Sequence, residues 1–320
     1  MQLQFLGTGA GMPSKSRNTS SLAVKLLEEC GDIWLFDCGE ATQHQILHTT
    51  IKPRKINKIF ITHLHGDHIF GLPGFLSSRS FLGGTDPVTI YGPPGLENWL
   101  RTTMQVTGTH LTYAIHYEVI QEGVLFEDEQ FAVRCKKLQH VIDSYGFRIE
   151  QKNLPGKLDI EFARSLGVPK GPLLGQLKNG QDVTLENGTV IKSESVVSEP
   201  VPGFTLAILG DTKFCPGSIE LAQNADVVIH EATFDKGTEK LAAVYGHSTN
   251  VEAAKVAREA NAEVLLMNHI SSRFLSCDLT KLKAEAQEVF PNCRIVNDFE
   301  QYNWQNHHLI KVQEEAINGD

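Results

Sequence analysis

The sequence predicts an α/β fold with its sheets buried between helices, and two observations carry that reading. Short apolar, β-branched runs recur along the whole chain with turn residues between them, and segments of helical period stand among them. Strands are expected at 3–6, 33–36, 59–62, 88–91, 131–135, 145–149, 204–209, 227–229 and 264–267. A helix is expected at 250–261, where Ala253, Val256, Ala257 and Ala260 form one stripe and Thr249 with Glu252 makes a capping box. A second is expected at 279–290. Between about 150 and 192 the rhythm breaks, because Pro155, Gly156, Gly167, Pro169, Gly171, Pro172, Gly175, Gly180 and Gly188 leave little for a core strand. An insertion of that length in a compact domain is functional or disordered. The expected organisation is therefore one large domain over 1–320 carrying an inserted arm at about 150–192, with a polar tail that frays after Trp304.

Composition narrows the class. The 320 residues are 41% hydrophobic, enough for a sizeable core. No run is long and apolar enough for a membrane helix, and the first residues lack the pattern of a secretory leader, so no membrane association is expected. Cys30, Cys38, Cys135, Cys215, Cys277 and Cys293 form no CxxC pair and no framework spacing, which reads as reduced thiols in a cytoplasmic protein. The net charge of −9 argues against nucleic acid as a whole-chain property. Local cations run the other way: Lys52, Arg54, Lys55 and Lys58 cluster, and Arg148, Lys152, Lys157, Arg164, Lys170 and Lys178 stud the arm and its approach.

The chemistry is concentrated in Ile59-Phe60-Ile61-Thr62-His63-Leu64-His65-Gly66-Asp67-His68. An apolar strand ends and at once delivers three imidazoles and a carboxylate. A lone surface histidine is usually structural or idle; this density at a strand end is not. His63 and His65 can turn toward one ion if the loop curls, and Asp67 and His68, past Gly66, can reach a second. Imidazole and carboxylate are the ligands zinc takes when a site stays open for water. His140, Asp211 and His269, each just after an expected strand, have the right types to complete two sites, with Asp211 as a bridging carboxylate. Two such ions hold the attacking and leaving oxygens of a phosphoryl displacement and bring a water's pKa from near 16 to about 7. His44 and His48, four apart, are also spaced for a metal, but with a full ligand set elsewhere helix-face packing is expected.

The run His63 to His68 resembles the HxHxDH signature of the metallo-β-lactamase superfamily, and Phe5-Leu6-Gly7-Thr8-Gly9 and Trp34-Leu35-Phe36-Asp37-Cys38-Gly39-Glu40 resemble its early motifs. That resemblance implies an αββα sandwich with two central mixed β-sheets and the metals at the strand ends along one edge. His65, in place of a carboxylate, favours hydrolysis over the redox-iron branch. Further motifs resemble the ribonuclease Z family: His230-Glu231-Ala232-Thr233 its HEAT motif, His247-Ser248-Thr249 its HST motif, and Pro13-Ser14-Lys15-Ser16-Arg17-Asn18 its PxKxRN loop. Gly171-Pro172 with Leu177-Lys178-Asn179-Gly180 resembles its protruding arm, and His269 to Phe274 its last motif.

The resemblance implies a zinc-dependent endoribonuclease that removes the 3′ trailer of precursor tRNA just after the discriminator nucleotide. It implies two zinc ions per subunit: His63, His65 and His140 on one, Asp67, His68 and His269 on the other, Asp211 between them. Asp67 would accept the proton of the attacking water, and His247, oriented by Glu231, would protonate the leaving 3′-oxygen. Asp37 would support the HxHxDH imidazoles. Lys15, Arg17, Arg273, Gly171, Pro172 and Lys178 would meet the substrate, and a homodimer would let one subunit's arm serve its partner's site. The competing expectation is a phosphodiesterase for small diesters on the same fold, which needs no arm. An RNA-binding protein that no longer cuts would have lost ligands, and every ligand position is filled here.

Overall fold

The computed structural model describes residues 1–312. The chain divides into two compact units, Met1–Glu127 with Val133–Ile149 and the residues from Thr205 onward in one, and Asp128–Ala132 with Glu150–Phe204 in the other.

In the first unit an eight-stranded sheet runs in the order His308–Lys311, Gln301–Gln305, Gln2–Gly7, Ser21–Leu26, Asp32–Phe36, Ile56–Phe60, Val88–Gly92 and Ile115–Val119. Its first pairings are antiparallel and its last three parallel. A seven-stranded sheet runs Cys293–Ile295, Val264–Asn268, Val227–Glu231, Thr205–Leu209, Ser144–Gln151, Phe131–Leu138 and Gly123–Glu127. Strand alternation decides what each face meets. Trp34, Phe36 and Phe60 point between the sheets, where Trp34 meets Phe126 and both Phe36 and Phe60 meet Phe147 edge-on. Ile33, Leu35, Ile59 and Ile61 point the other way, into a core with Ile46, Phe75, Leu76 and Leu100 of the helices Thr42–Leu47, Leu72–Phe81 and Leu96–Val106. On the second sheet Ala207, Val228, Leu265 and Met267 pack against Ala253, Val256 and Ala257 of helix Asn250–Glu259. Helix, sheet, sheet and helix thus form the αββα sandwich that the HxHxDH resemblance implies.

All nine expected strands and both expected helices are present with shifted ends. Thr249 caps its helix as expected: its hydroxyl accepts from Glu252 N at 3.1 Å, and its N–H donates to the Glu252 carboxylate at 2.8 Å. The later helix runs Ser276–Gln287, earlier than expected, because the Asp278 carboxylate accepts the Leu275 N–H at 2.8 Å and starts it there. The tail does not fray directly after Trp304. Asn306 and His307, both at positive φ (49° and 61°), turn the chain back so that His308–Lys311 pairs with Gln301–Gln305; two consecutive positive-φ residues are what a two-residue hairpin needs. The end of that expectation, 313–320, lies outside the described residues. No helix among the described residues is long and apolar enough to cross a membrane.

The second unit extends beyond Lys192 to Phe204 and has an apolar core of its own, made by Ala163, Val168, Leu177, Val183, Ile191 and Val196. Helices Ile160–Ser165, Pro172–Lys178 and Ser193–Val196 surround a small Val183–Thr184/Val190–Ile191 sheet. The Leu154–Val201 bridge and a 2.8 Å bond from Gln151 N to Phe204 O tie its two chain ends together. Lys152, Lys157, Arg164, Lys170 and Lys178 are all exposed on it.

Candidate metal centre

The strand Ile56–Phe60 ends beneath a loop and a short helix, Gly66–Ile69, and every donor of the His63–His68 run comes off that stretch. The ring tautomers there are set by what each imidazole's outer nitrogen touches. His68 Nδ1 lies 2.7 Å from the Asp37 carboxylate, and His140 Nδ1 lies 2.7 Å from Gly246 O. Thr62 gives its hydroxyl proton to Asp37 at 2.9 Å and so accepts from His63 Nδ1 at 3.0 Å. Thr233 gives its proton to Glu231 at 2.6 Å and accepts from His269 Nδ1 at 2.9 Å. With Nδ1 donating, each neutral ring turns its Nε2 lone pair inward. Burial would keep His68 neutral, but Asp211 and Asp37 raise its pKa well above the usual imidazole range, so its Nε2 becomes a ligand by giving up a proton in exchange for a cation.

Those lone pairs converge. His63 Nε2 is 3.1 Å and His140 Nε2 is 3.2 Å from His65 Nδ1, and His68 Nε2 is 3.2 Å from His269 Nε2. Asp211 Oδ2 lies 3.6, 3.5 and 3.4 Å from the Nε2 atoms of His63, His68 and His269, and Asp67 Oδ2 lies 3.2 Å from His269 Nε2. Imidazole nitrogens and carboxylate oxygens crowded this closely repel unless protons or a cation sit among them, and the His/Asp chemistry of the set fits a metal. His63, His65, His140 and Asp211 have donor atoms all within 4.8 Å of one another; Asp67, His68 and His269 form a second such group, and Asp211, His247 and His269 a third. Burial drives the pKa of His63, His65 and His140 down, leaving them neutral as ligands must be. Burial would raise Asp211, but the neighbouring His269, His68 and His63 outweigh it and hold the carboxylate ionised. No group of this kind forms around His44 and His48 among the described residues; their rings meet edge-on on an exposed face, and His48 meets Phe299.

Two of the supporting residues hold uncommon backbone. Asp37 (φ 56°) and His269 (φ 55°) are non-glycine residues in the left-handed region, a conformation that persists where surrounding contacts fix it. Asp37 is fixed by the Thr62 N–H at 2.8 Å, the Thr62 hydroxyl and His68.

A proton-transfer pair stands beside the cluster. His247 Nδ1 is 2.9 Å from Glu231 Oε1, which also accepts the Thr212 N–H at 2.9 Å. Burial lowers the pKa of His247, but Glu231 and Asp211 outweigh it and bring it up to about 9. Glu231 is fully enclosed yet kept ionised: burial opposes the charge, and His247 overcomes it. Through Thr233 the same carboxylate reaches His269, so one buried anion serves both a candidate ligand and a candidate acid.

His65, Asp67, His140, Asp211, His247 and His269 open onto a cleft of about 570 Å³ that Arg273 also lines. Lys15 is exposed, as are Gly171, Pro172 and Lys178 on the second unit. Arg17 corrects the expectation of a substrate contact. It is 7% exposed, and its guanidinium donates inward to Thr8 Oγ1 (2.6 Å), Val296 O (2.6 Å) and Asn297 Oδ1 (2.7 Å), bracing the loop instead of facing a ligand. Several supporting residues escaped the sequence reading. Gly11 donates its N–H to Asp67 Oδ2 at 2.7 Å, and Thr62, Thr233 and Gly246 fix the tautomers. Only Gly246 left a signal, a glycine just past a helical stretch (Glu239–Tyr245) where a left-handed cap is expected.

A family model described as Anti-Pycsar protein Apyc1 matches residues 1–166. YhfI of Bacillus subtilis, a metallo-β-lactamase fold protein, shares the fold at TM-score 0.65 and 20% identity, covering 94% of this chain and 98% of its own. The short form of human tRNase Z (ELAC1) superposes at TM-score 0.68 with 31% identity, over 95% of this chain and 99% of that one. A ribonuclease Z of Streptococcus gordonii is 55% identical over 94% of this chain and 99% of its own. That last likeness runs nearly the whole length of both chains, and the chain belongs to the ribonuclease Z family.

Proposed function

We propose that the chain removes the 3′ trailer from precursor tRNA by hydrolysis just after the discriminator nucleotide, leaving a 3′-hydroxyl. The observation that carries this reading is the set of converging imidazole lone pairs and carboxylates that opens on a cleft beside a His247–Glu231 pair. A reading confined to small diesters is not favoured by relatives that match nearly the whole chain, including the inserted unit.

In this reading His63, His65 and His140 would hold one zinc ion and Asp67, His68 and His269 a second, with Asp211 within reach of both groups. Bound there, zinc would lower the pKa of a water toward neutrality and would offset charge on the phosphoryl oxygens. Asp67, held by the Gly11 N–H, receives the proton of the attacking water, and His247 delivers one to the leaving 3′-oxygen. Glu231 keeps His247 oriented and protonated. Lys15 and Arg273 meet the nucleotides at the cut. Gly171, Pro172 and Lys178, with the other exposed cations of the second unit, meet the phosphates of the tRNA body. The same reading makes the enzyme a cytoplasmic homodimer in which one subunit's inserted unit serves its partner's cleft; six free cysteines support the compartment.

The test is incubation with 3′-extended precursor tRNA, with and without chelator, mapping of the new end, and metal analysis and light scattering on the same preparation. A chelator-sensitive cut just after the discriminator base, two zinc ions per chain and a dimer mass are expected. A cut elsewhere, or none, would overturn the reading.

A further inference from the structure

One wall of the cleft is apolar beyond anything hydrolysis requires. Helix Glu239–Tyr245 buries only Ala242 and leaves Leu241, Val244 and Tyr245 exposed (47%, 72% and 58%), and all three line the cleft. Behind Tyr245 lies Phe234, 6% exposed, its ring stacked on the tyrosine with centroids 6.1 Å apart and 17° between planes. The Arg273 guanidinium sits over the same phenylalanine, 4.2 Å from its centroid, and His247 is 6.0 Å from it. A half-exposed aromatic ring, buttressed from behind and one ring away from the candidate proton donor, is the arrangement that binds a flat π-system by its face.

We propose that Tyr245, backed by Phe234, is a stacking platform for the unpaired base of the nucleotide 5′ to the scissile phosphate. This deepens the ribonuclease reading above and rests on it. The occupant follows from position. His247 serves the leaving 3′-oxygen, that oxygen belongs to the 5′ nucleotide, and so its base is the one that lies within a ring's reach of His247. Every base has a π-face, so the platform tolerates any identity. A base held in a duplex is already stacked and cannot lie flat against Tyr245, so the platform selects an unpaired nucleotide over a paired one. It would set where along the strand the cut falls by requiring the last paired position to lie before it.

The experiment uses the full metal-loaded enzyme under single-turnover conditions and two precursors, one natural and one abasic at the nucleotide 5′ to the cut. Removing one base–aromatic stack should weaken half-saturation by roughly 5- to 150-fold. The wild type should show that loss on the abasic precursor. Tyr245→Ala should show it on the natural precursor and lose nothing more on the abasic one, while Tyr245→Trp should keep wild-type behaviour. Tyr245→Leu, which preserves apolar cover without a π-face, should behave as Tyr245→Ala. Independent, multiplying losses from the substitution and the abasic site would overturn the platform, as would wild-type half-saturation in Tyr245→Leu. Failure of the wild type to cut the natural precursor would instead remove the ribonuclease reading and the platform with it.

Discussion

Replacing Gly246 with alanine tests the metal centre without replacing any donor. Gly246 has φ +77°, and a Cβ built there would lie 2.7 Å from His140 Nδ1 and 2.9 Å from Val141 N. Its carbonyl is also the acceptor that fixes His140. Two costs follow. Holding alanine in the left-handed region costs about 1–2 kcal/mol, which for a chain of this size lowers the melting temperature by roughly 1–3 °C. The second cost falls on His140 alone. Real Cβ atoms do not sit 2.7 Å from a ring nitrogen, so the imidazole or the cap must move, and loss of such an outer-nitrogen partner weakens metal binding by roughly 10- to 100-fold. Zinc titration against a competing chelator reads the second effect, and a thermal melt of the metal-free protein reads the first. A Gly246→Ala protein with lowered melting temperature but unchanged zinc affinity would refute the assignment of Gly246 as the residue that orients His140.

Asp211→Ala should release metal and abolish cleavage of both precursor tRNA and activated diesters, measured by metal analysis and assay on one sample; full metal content with near wild-type cutting would count against the shared carboxylate. His247→Ala should retain metal and slow precursor cleavage by roughly 10²–10⁴-fold, yet slow a nitrophenyl diester far less, because that leaving group needs no proton; equal losses on both would leave only a structural role. His247 is held at about 9 against burial by Glu231 and Asp211, so it is protonated below that pH and loses its proton above it. Glu231→Gln removes the larger of these supports, and the alkaline limb of the pH–rate profile should move to lower pH; an unmoved limb would separate the limb from His247. Replacing 155–200 by a short Gly-Ser linker across the Leu154–Val201 bridge should spare small diesters and weaken tRNA binding. The log–log salt dependence should flatten by somewhat under one unit for each phosphate that the protein no longer neutralises, and an unchanged slope would contradict the role of the exposed cations.

The donors were legible because chemistry concentrated them: three imidazoles and a carboxylate in one run, with His140, Asp211 and His269 each at a strand end. What positions them was not. Thr62, Thr233 and Gly11 act through a hydroxyl or a backbone N–H, and such groups carry no compositional mark until folding brings them to their partners. Arg17 shows the opposite failure. An arginine in a polar loop looks available, and only the fold brings Val296 O and Asn297 Oδ1 to its guanidinium. Among strands, Ser21–Leu26 is wholly buried but carries Ser21 and Lys25, while Ile115–Val119 and Gly123–Glu127 are only partly buried, with Ile115 and Tyr117 packing on the core and Phe126 meeting Trp34.

The pairing of Gln301–Gln305 with Gln2–Gly7 bears on how the protein is made. The first strand emerges with no partner on one side until nearly the whole chain has been synthesised, and the Arg17 loop lacks Val296 and Asn297 for as long. At roughly 5–20 residues per second, His269 follows His63 by some 10–40 seconds. Through that interval the nascent chain carries an open strand edge and half a donor set, a hazard for edge-to-edge association and an occasion for scavenging the wrong metal. The edge of Gln2–Gly7 is thus covered only after the donor set has been completed, because Gln301–Gln305 follows His269 in the chain.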